Sequence, residues 1–268
     1  MDLLWLKRLF PTLLLSTSLA ACGGNTIPAG SPGGSAADST AQRTPGTLGA
    51  AYIPLGLAGK FAVLAGSTVT SHGPTIIKGI STANVPCGAR CGSVGIWPGT
   101  AMTGFPPGEI DGYFYGGVPE ALHAQQDLTK AFNAGMAQKL NPIAVAGNLG
   151  GQTLVPGLYK STSSLAVSSG DLTLDGRGKT GSVWVFQMAS TFTMTTGRKI
   201  ILTNGANAAD IFWIVGSSAT LGTAARFSGN LLSHESISVG TGAVIAGRAL
   251  ARVGAVTLLS NTVVRPAL

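Results

Sequence analysis

The sequence predicts a mostly β fold, a solenoid of stacked coils with one long α-helix packed along its side. Three observations carry that prediction. Five short turns of Ser or Thr plus a small residue recur down the C-terminal half: Ser169-Gly170, Thr196-Gly197, Thr223-Ala224, Thr241-Gly242 and Ser260-Asn261. From Leu154 to Val264 the chain reads almost wholly as strand, and helical periodicity is convincing in one segment only. Of all residues 45% are hydrophobic and 10% charged, with 39 glycines, against roughly a quarter charged in an ordinary globular chain. Such a composition suits a protein presenting a wide uncharged face.

The repeat has an internal register. Three residues before each turn's second member stands Val167, Met194, Leu221, Val239 or Leu258, and five before it Leu165, Phe192, Ala219, Ile237 or Val256. Successive copies are 27, 27, 18 and 19 residues apart, so the register survives changes in loop length. Repeats of this size bury their apolar edges against neighbouring repeats.

Taken in order, the chain opens on an export signal. Lys7 and Arg8 precede the apolar stretch Leu9 to Ala20, too short for a spanning helix and suited to a signal-peptide core. Its ending, Leu19-Ala20-Ala21-Cys22, resembles the bacterial lipoprotein box. That implies signal-peptide removal after residue 21, lipidation of Cys22 and a membrane anchor, and Gly23 in place of Asp implies passage to the outer membrane. Residues 22–47 are rich in Gly, Ser, Ala, Pro and Thr and read as a flexible tether. The folded head is expected over 48–268, as a monomer. Within it, Phe61–Ala65, Thr68–Thr70 and Thr75–Ile77 read as strands, and the Gly/Pro-rich stretch from Ser81 to Gly117 as irregular. Cys87 and Cys91 predict a local disulfide in an exported protein.

The helix is expected over about 119–139. Pro119 and Glu120 are start signals and Lys139 suits the end. Ala121, Ala124, Leu128, Ala131, Phe132 and Met136 form a stripe that predicts packing against the β body. In the C-terminal half, runs such as Val183–Phe186 and Ile211–Val215 read as buried strand.

Several function classes are disfavoured. Net charge is +7, but no basic run exceeds two residues, which argues against a nucleic-acid partner. His234-Glu235 opens like a zinc motif, yet Ser238 stands where the second histidine belongs. Gly178-Lys179-Thr180 ends like a phosphate loop, yet Thr173 replaces its first glycine. No nucleophile elbow exists, and His72, His123 and His234 share no metal spacing. No enzyme, metal site or cofactor is expected.

From Leu55 to Pro266 the residues resemble the DUF3494 family of bacterial and fungal ice-binding proteins. The matching segments include Leu57–Thr68, Pro98–Gly108, Gly147–Gly151, Pro156–Tyr159, Trp213–Gly222 and Gly247–Ala251. The resemblance implies a discontinuous parallel β-helix of roughly triangular section, with a long helix along one side and an ice crystal surface as partner. Some members organise a flat wall around Thr-[Ala/Gly]-x-[Thr/Asn]. Here the first two places fit, with Thr196, Thr223 and Thr241 leading three copies, but the fourth holds Leu172, Lys199, Arg226, Val244 and Val263. Hydrated charge there opposes an ordered water layer. The outward positions of the preceding strands are cleaner: Ala166/Ser168, Thr193/Thr195, Thr220/Gly222, Ser238/Gly240 and Thr257/Leu259, extended by Thr68 and Thr70. The expected ice-binding set is therefore Thr193, Thr195, Thr220, Ser238, Thr257, Thr68 and Thr70, with Thr196, Thr223 and Thr241 beside it. The competing expectation is a cell-surface adhesive solenoid that binds carbohydrate or protein, which Trp97 or Tyr113 beside an acidic groove would favour.

Overall fold

A computed structural model describes residues 49–80 and 91–266. The expected signal peptide, the tether and Cys22 lie outside the described residues, as does Cys87; Cys91 is a disulfide cysteine. The head is a parallel β-helix of three walls, and every strand pair among the described residues is parallel. Helix α1, Pro119–Ala137, packs along one wall.

The coils do not stack in chain order. Along the helix-side wall the spatial order is Phe114–Gly116, Ser93–Ile96, Phe61–Ala65, 248–251, 230–233, Ile211–Val215, Trp184–Met188, Gly157–Ser161, Ile143–Ala144. The outer wall runs Ala101–Thr103, Thr68–His72, Val256–Leu259, Ile237–Val239, Ala219–Leu221, Phe192–Met194, Leu165–Val167, Gly147–Asn148. Two N-terminal coils thus stack beyond the C-terminal one. Helix α1 then carries the chain from the last coil back toward the first. Nine strands at about 4.8 Å span about 38 Å; a 19-residue helix supplies about 28 Å, and residues 138–142 the rest.

That arrangement gives each wall its own pattern. On the helix-side wall Phe61–Ala65, Trp184–Met188 and Ile211–Val215 are buried at every position. One set of side chains fills the triangular core while the other meets α1, so these strands read as unbroken apolar runs. In the core Tyr159, Phe186 and Trp213 stack in register, with centroids 5.1 and 3.9 Å apart. Against α1, Leu158, Val185, Phe212, Ile214, Leu232 and Leu250 meet Ala124, Leu128, Ala131 and Phe132. The outer wall alternates instead, buried inward and exposed or half-buried outward.

Three expectations are corrected. The segment from Ser81 to Gly117 is not irregular throughout: Ser93–Ile96, Ala101–Thr103, Glu109–Ile110 and Phe114–Gly116 are strands. Helix α1 stops at Ala137, not Lys139. Gln138 turns out to exchange hydrogen bonds with Ala51 N and O, at 3.0 and 2.8 Å, while buried Gln187 donates to the Gly135 and Gln138 carbonyls. These contacts satisfy groups that a helix end leaves open.

The third correction concerns the fifth turn. Left-handed residues stack in one line, Gly197 (φ 73°), Ala224 (54°), Gly242 (68°), Ser260 (52°) and Gly73 (82°). They are joined by backbone bonds from Gly197 N to Thr223 O, Ala224 N to Thr241 O, Gly242 N to Leu259 O and Ser260 N to His72 O. The fifth turn is therefore Leu259-Ser260 and one residue shorter than its neighbour: Leu259 follows the strand in Gly240's register and also takes Thr241's place before the left-handed residue. Asn261 is buried instead, donating to the Gly240 and Ala243 carbonyls and accepting from Leu259 N.

Candidate functional site

The outer wall collects nearly all the predicted residues. Its central outward column runs Asn148, Ala166, Thr193, Thr220, Ser238, Thr257, Thr70, Thr103, each paired in register with the next. Inward neighbours such as Leu165, Phe192, Ile237 and Val256 are buried, and that burial fixes which face the threonines take. On one side lies Ser168, Thr195, Gly222, Gly240, Leu259, His72. On the other, Ser164, Thr191, Ser218, Ser236 and Ala255 lead to Thr68, which pairs with Ala101.

Of that last column the sequence names Thr68 alone; Ser164, Thr191, Ser218, Ser236, Ala255 and Ala101 are additions, as is Thr103 in the central column. Their signal is the same alternation carried one step upstream, past Leu165, Phe192, Ala219 and Ile237. It was overlooked because the turn residues, one edge of the wall, anchored the register. Seven intervals of about 4.8 Å and two of about 6.8 Å make a mesh of roughly 34 by 14 Å. It carries no carboxylate, ammonium or guanidinium, and His72 is its one ionisable group.

Hydrogen bonding separates the columns. On the Ser164 side, the Ser164 and Thr191 hydroxyls bond each other at 2.9 Å, and Ser236 Oγ accepts from Ala255 N. On the other side, Thr195 Oγ1 donates to the Ser168 carbonyl. Asn148 clasps the end of the wall, accepting from Ser168 N and donating to Ser169 Oγ. The central hydroxyls of Thr193, Thr220, Ser238, Thr257, Thr70 and Thr103 form no hydrogen bond among the described residues. They remain available to water, each beside a methyl group in the threonines.

Thr196, Thr223 and Thr241 are exposed along the corner where this wall ends. The charges of the fourth motif place lie beyond it. Lys199 bridges Arg226 at the start of the third wall, and Arg226 continues in register to Val244 and Thr262. The fourth column is thus on a different face; its first member is Asp171, since Leu172 pairs with Ile200 and is buried, and its fifth is Thr262, not Val263. Asp171 holds the basic corner, accepting from Lys199 N at 2.9 Å with Arg198 Nη1 at 4.0 Å.

The site is a surface rather than a pocket, and relatives share both sequence and architecture. The family profile described as "Ice-binding-like" matches residues 63–264. An ice-binding protein of Nostoc sp. (strain HG1) is 42% identical over 78% of this chain and 72% of its own length. One of Flavobacterium frigoris (strain PS1) is 35% identical over 80% and 76%. Among solved structures, an ice binding protein from an Antarctic biological consortium superposes with a TM-score of 0.75 at 46% identity, covering 81% of this chain and 93% of the other. That of the Antarctic ascomycete Antarctomyces psychrotrophicus gives 0.72 at 42%, covering 81% and 100%. On these matches the chain belongs to the ice-binding-like family.

Proposed function

We propose that the outer wall adsorbs to ice, inhibiting ice growth or recrystallisation or holding the cell at an ice surface. The observation that supports this most is the central column of unpartnered hydroxyls and methyls, set at strand spacing in a field without charge. Water bound between regularly spaced methyls and hydroxyls is ordered in two dimensions before ice arrives. A charged side chain would hold its own hydration shell and break that layer. The reading is surface complementarity, not catalysis. Its test is the double substitution Thr193→Tyr/Thr220→Tyr. Recrystallisation inhibition should be abolished, because two bulky rings lift ice from the wall. Undiminished activity in the folded variant would move the site elsewhere.

Display of the head belongs to the same proposal. We infer that Cys22 is lipidated and that the 22–47 segment tethers a monomeric head to the bacterial cell envelope, at the outer membrane or cell surface. Two or more acyl chains give firm anchorage, since each buried methylene contributes about 0.8 kcal/mol. Metabolic fatty-acid labelling checks it: label should enter the full chain and be absent from Cys22→Ser.

A further inference from the structure

The end of the stack formed by the 93–116 region carries an aromatic cluster that the outer wall does not use. Tyr113, Phe114 and Tyr115 are consecutive, with Tyr113 67% exposed and Phe114 42% exposed. Phe114 stands in the register of core residue Val94, and Tyr115 in that of Gly95. Tyr115 meets Phe61 edge-on at 5.5 Å, and Tyr113 meets Tyr115 at 6.3 Å. Phe61, Tyr113 and Tyr115 line a cleft of about 300 Å³, completed by Ser93, Lys60 and Glu120 near the start of α1.

The cleft is held by specific features. A Cβ on Gly95 would fall 2.7 Å from both Phe61 Cε1 and Leu64 Cδ1, so only glycine lets the Phe61 ring lie here. Ser93 Oγ accepts from Tyr113 N at 3.2 Å, fixing the backbone that carries the exposed ring. The described ion pairs are Lys130–Asp127, Arg198–Asp171 and His234–Glu235. Lys60 and Glu120 therefore share the cleft without neutralising each other.

We propose that this cleft binds a single pyranose unit of a neutral glycan. Aromatic faces take the C–H face of a sugar ring, and an exposed tyrosine keeps its hydroxyl for the same ligand. An unpaired ammonium and carboxylate suit vicinal hydroxyls, which accept from one and donate to the other. An anion would meet Glu120 and a cation Lys60, so net neutrality is selected. About 300 Å³ is the lower end of ligand-site volumes, which fits a ring and not a chain. The cleft opens by α1, on a different wall from the threonine mesh, so the two surfaces can be occupied together.

The test is saturation-transfer NMR on the full chain with D-glucose, D-galactose and N-acetyl-D-glucosamine, and glycine betaine as a zwitterionic control. Transfer to the ring protons of at least one sugar is expected, with Kd on the order of 1 mM. Tyr113→Ala should weaken it about tenfold, and Glu120→Gln should weaken it further while both variants keep their far-UV spectrum and recrystallisation activity. No transfer from any sugar overturns the proposal. So do transfer undiminished in folded Tyr113→Ala and binding of glycine betaine alone.

Discussion

Asp127 shows how much one side chain holds. Its Oδ2 accepts from Leu57 N at 2.9 Å and its Oδ1 from Lys130 Nζ at 2.9 Å, tying mid-helix to the 3-10 turn Gly56–Lys60. Partial burial pushes the carboxyl up, but the Leu57 amide and Lys130 outweigh it, with His123 adding to them. The group is held below its ordinary 3.8. A carboxyl depressed by folding stabilises the native state above its unfolded value, and that contribution is lost as pH falls through the folded one. Wild type should therefore exceed Asp127→Asn by about 1 kcal/mol at neutral pH. The gap should close in acid below 3.8, read from denaturant midpoints across pH. A gap that persists in acid would assign the effect to shape rather than charge. None of this was legible in the sequence, because Asp127 and Leu57 are 70 residues apart. Lys199 and Arg226 teach the converse: their charge was visible, but only the corner shows that it faces away from the mesh.

Among elements, legibility followed periodicity. Phe192–Met194 and Ile237–Val239 alternate because one side meets water, so their outward residues could be named from sequence. The helix-side strands gave no such alternation, since both faces are buried, and length alone marked them as strands. Helix α1 showed its start and its stripe, yet its end depends on Gln138 and Gln187, which sequence does not bring together. The 93–116 strands were obscured by the Gly and Pro residues that turn their corners. The same local logic sets the expectation for Thr193→Tyr/Thr220→Tyr. Both positions sit mid-strand with outward side chains, and exposed strand sites take tyrosine well. Stability should change by less than about 1 kcal/mol, measured by thermal unfolding, so that lost ice activity reports the surface alone.

For the whole molecule, the decisive feature is the seam between residues 248–264 and 61–78. Arg248 and Arg265 are buried there and both donate to the Gly59 carbonyl, at 3.0 Å each. Arg248 also reaches Asn230 Oδ1 at 2.7 Å, and Arg265 the Cys91 carbonyl at 3.0 Å. Desolvation foremost, and then its arginine neighbour, push the Arg248 guanidinium down to about 9. A guanidinium stays charged at any ordinary pH, and Arg248 meets that charge with the Gly59 and Pro266 carbonyls and the Asn230 amide oxygen. Its partners lie up to 206 residues apart, which is why the stacking order could be taken from a family resemblance but not from spacing. In a linear repeat array a terminal deletion removes one unit and its single interface. Here a chain ending at Gly247 loses an interior coil and both of its interfaces. It should lack a cooperative thermal transition, whereas survival of one near the wild-type temperature would mean that the two halves close directly on each other.

The seam also sets a timetable. Domains of a growing chain ordinarily fold from the N-terminus as they emerge, but residues 61–78 emerge well before their wall neighbours at 249–264. Thr70 meets Thr257, and His72 meets Leu259, only after every coil between them has been made. The continuous mesh comes into being in one late step, when the strand around Thr257 arrives to fill the gap left for it between Ser238 and Thr70.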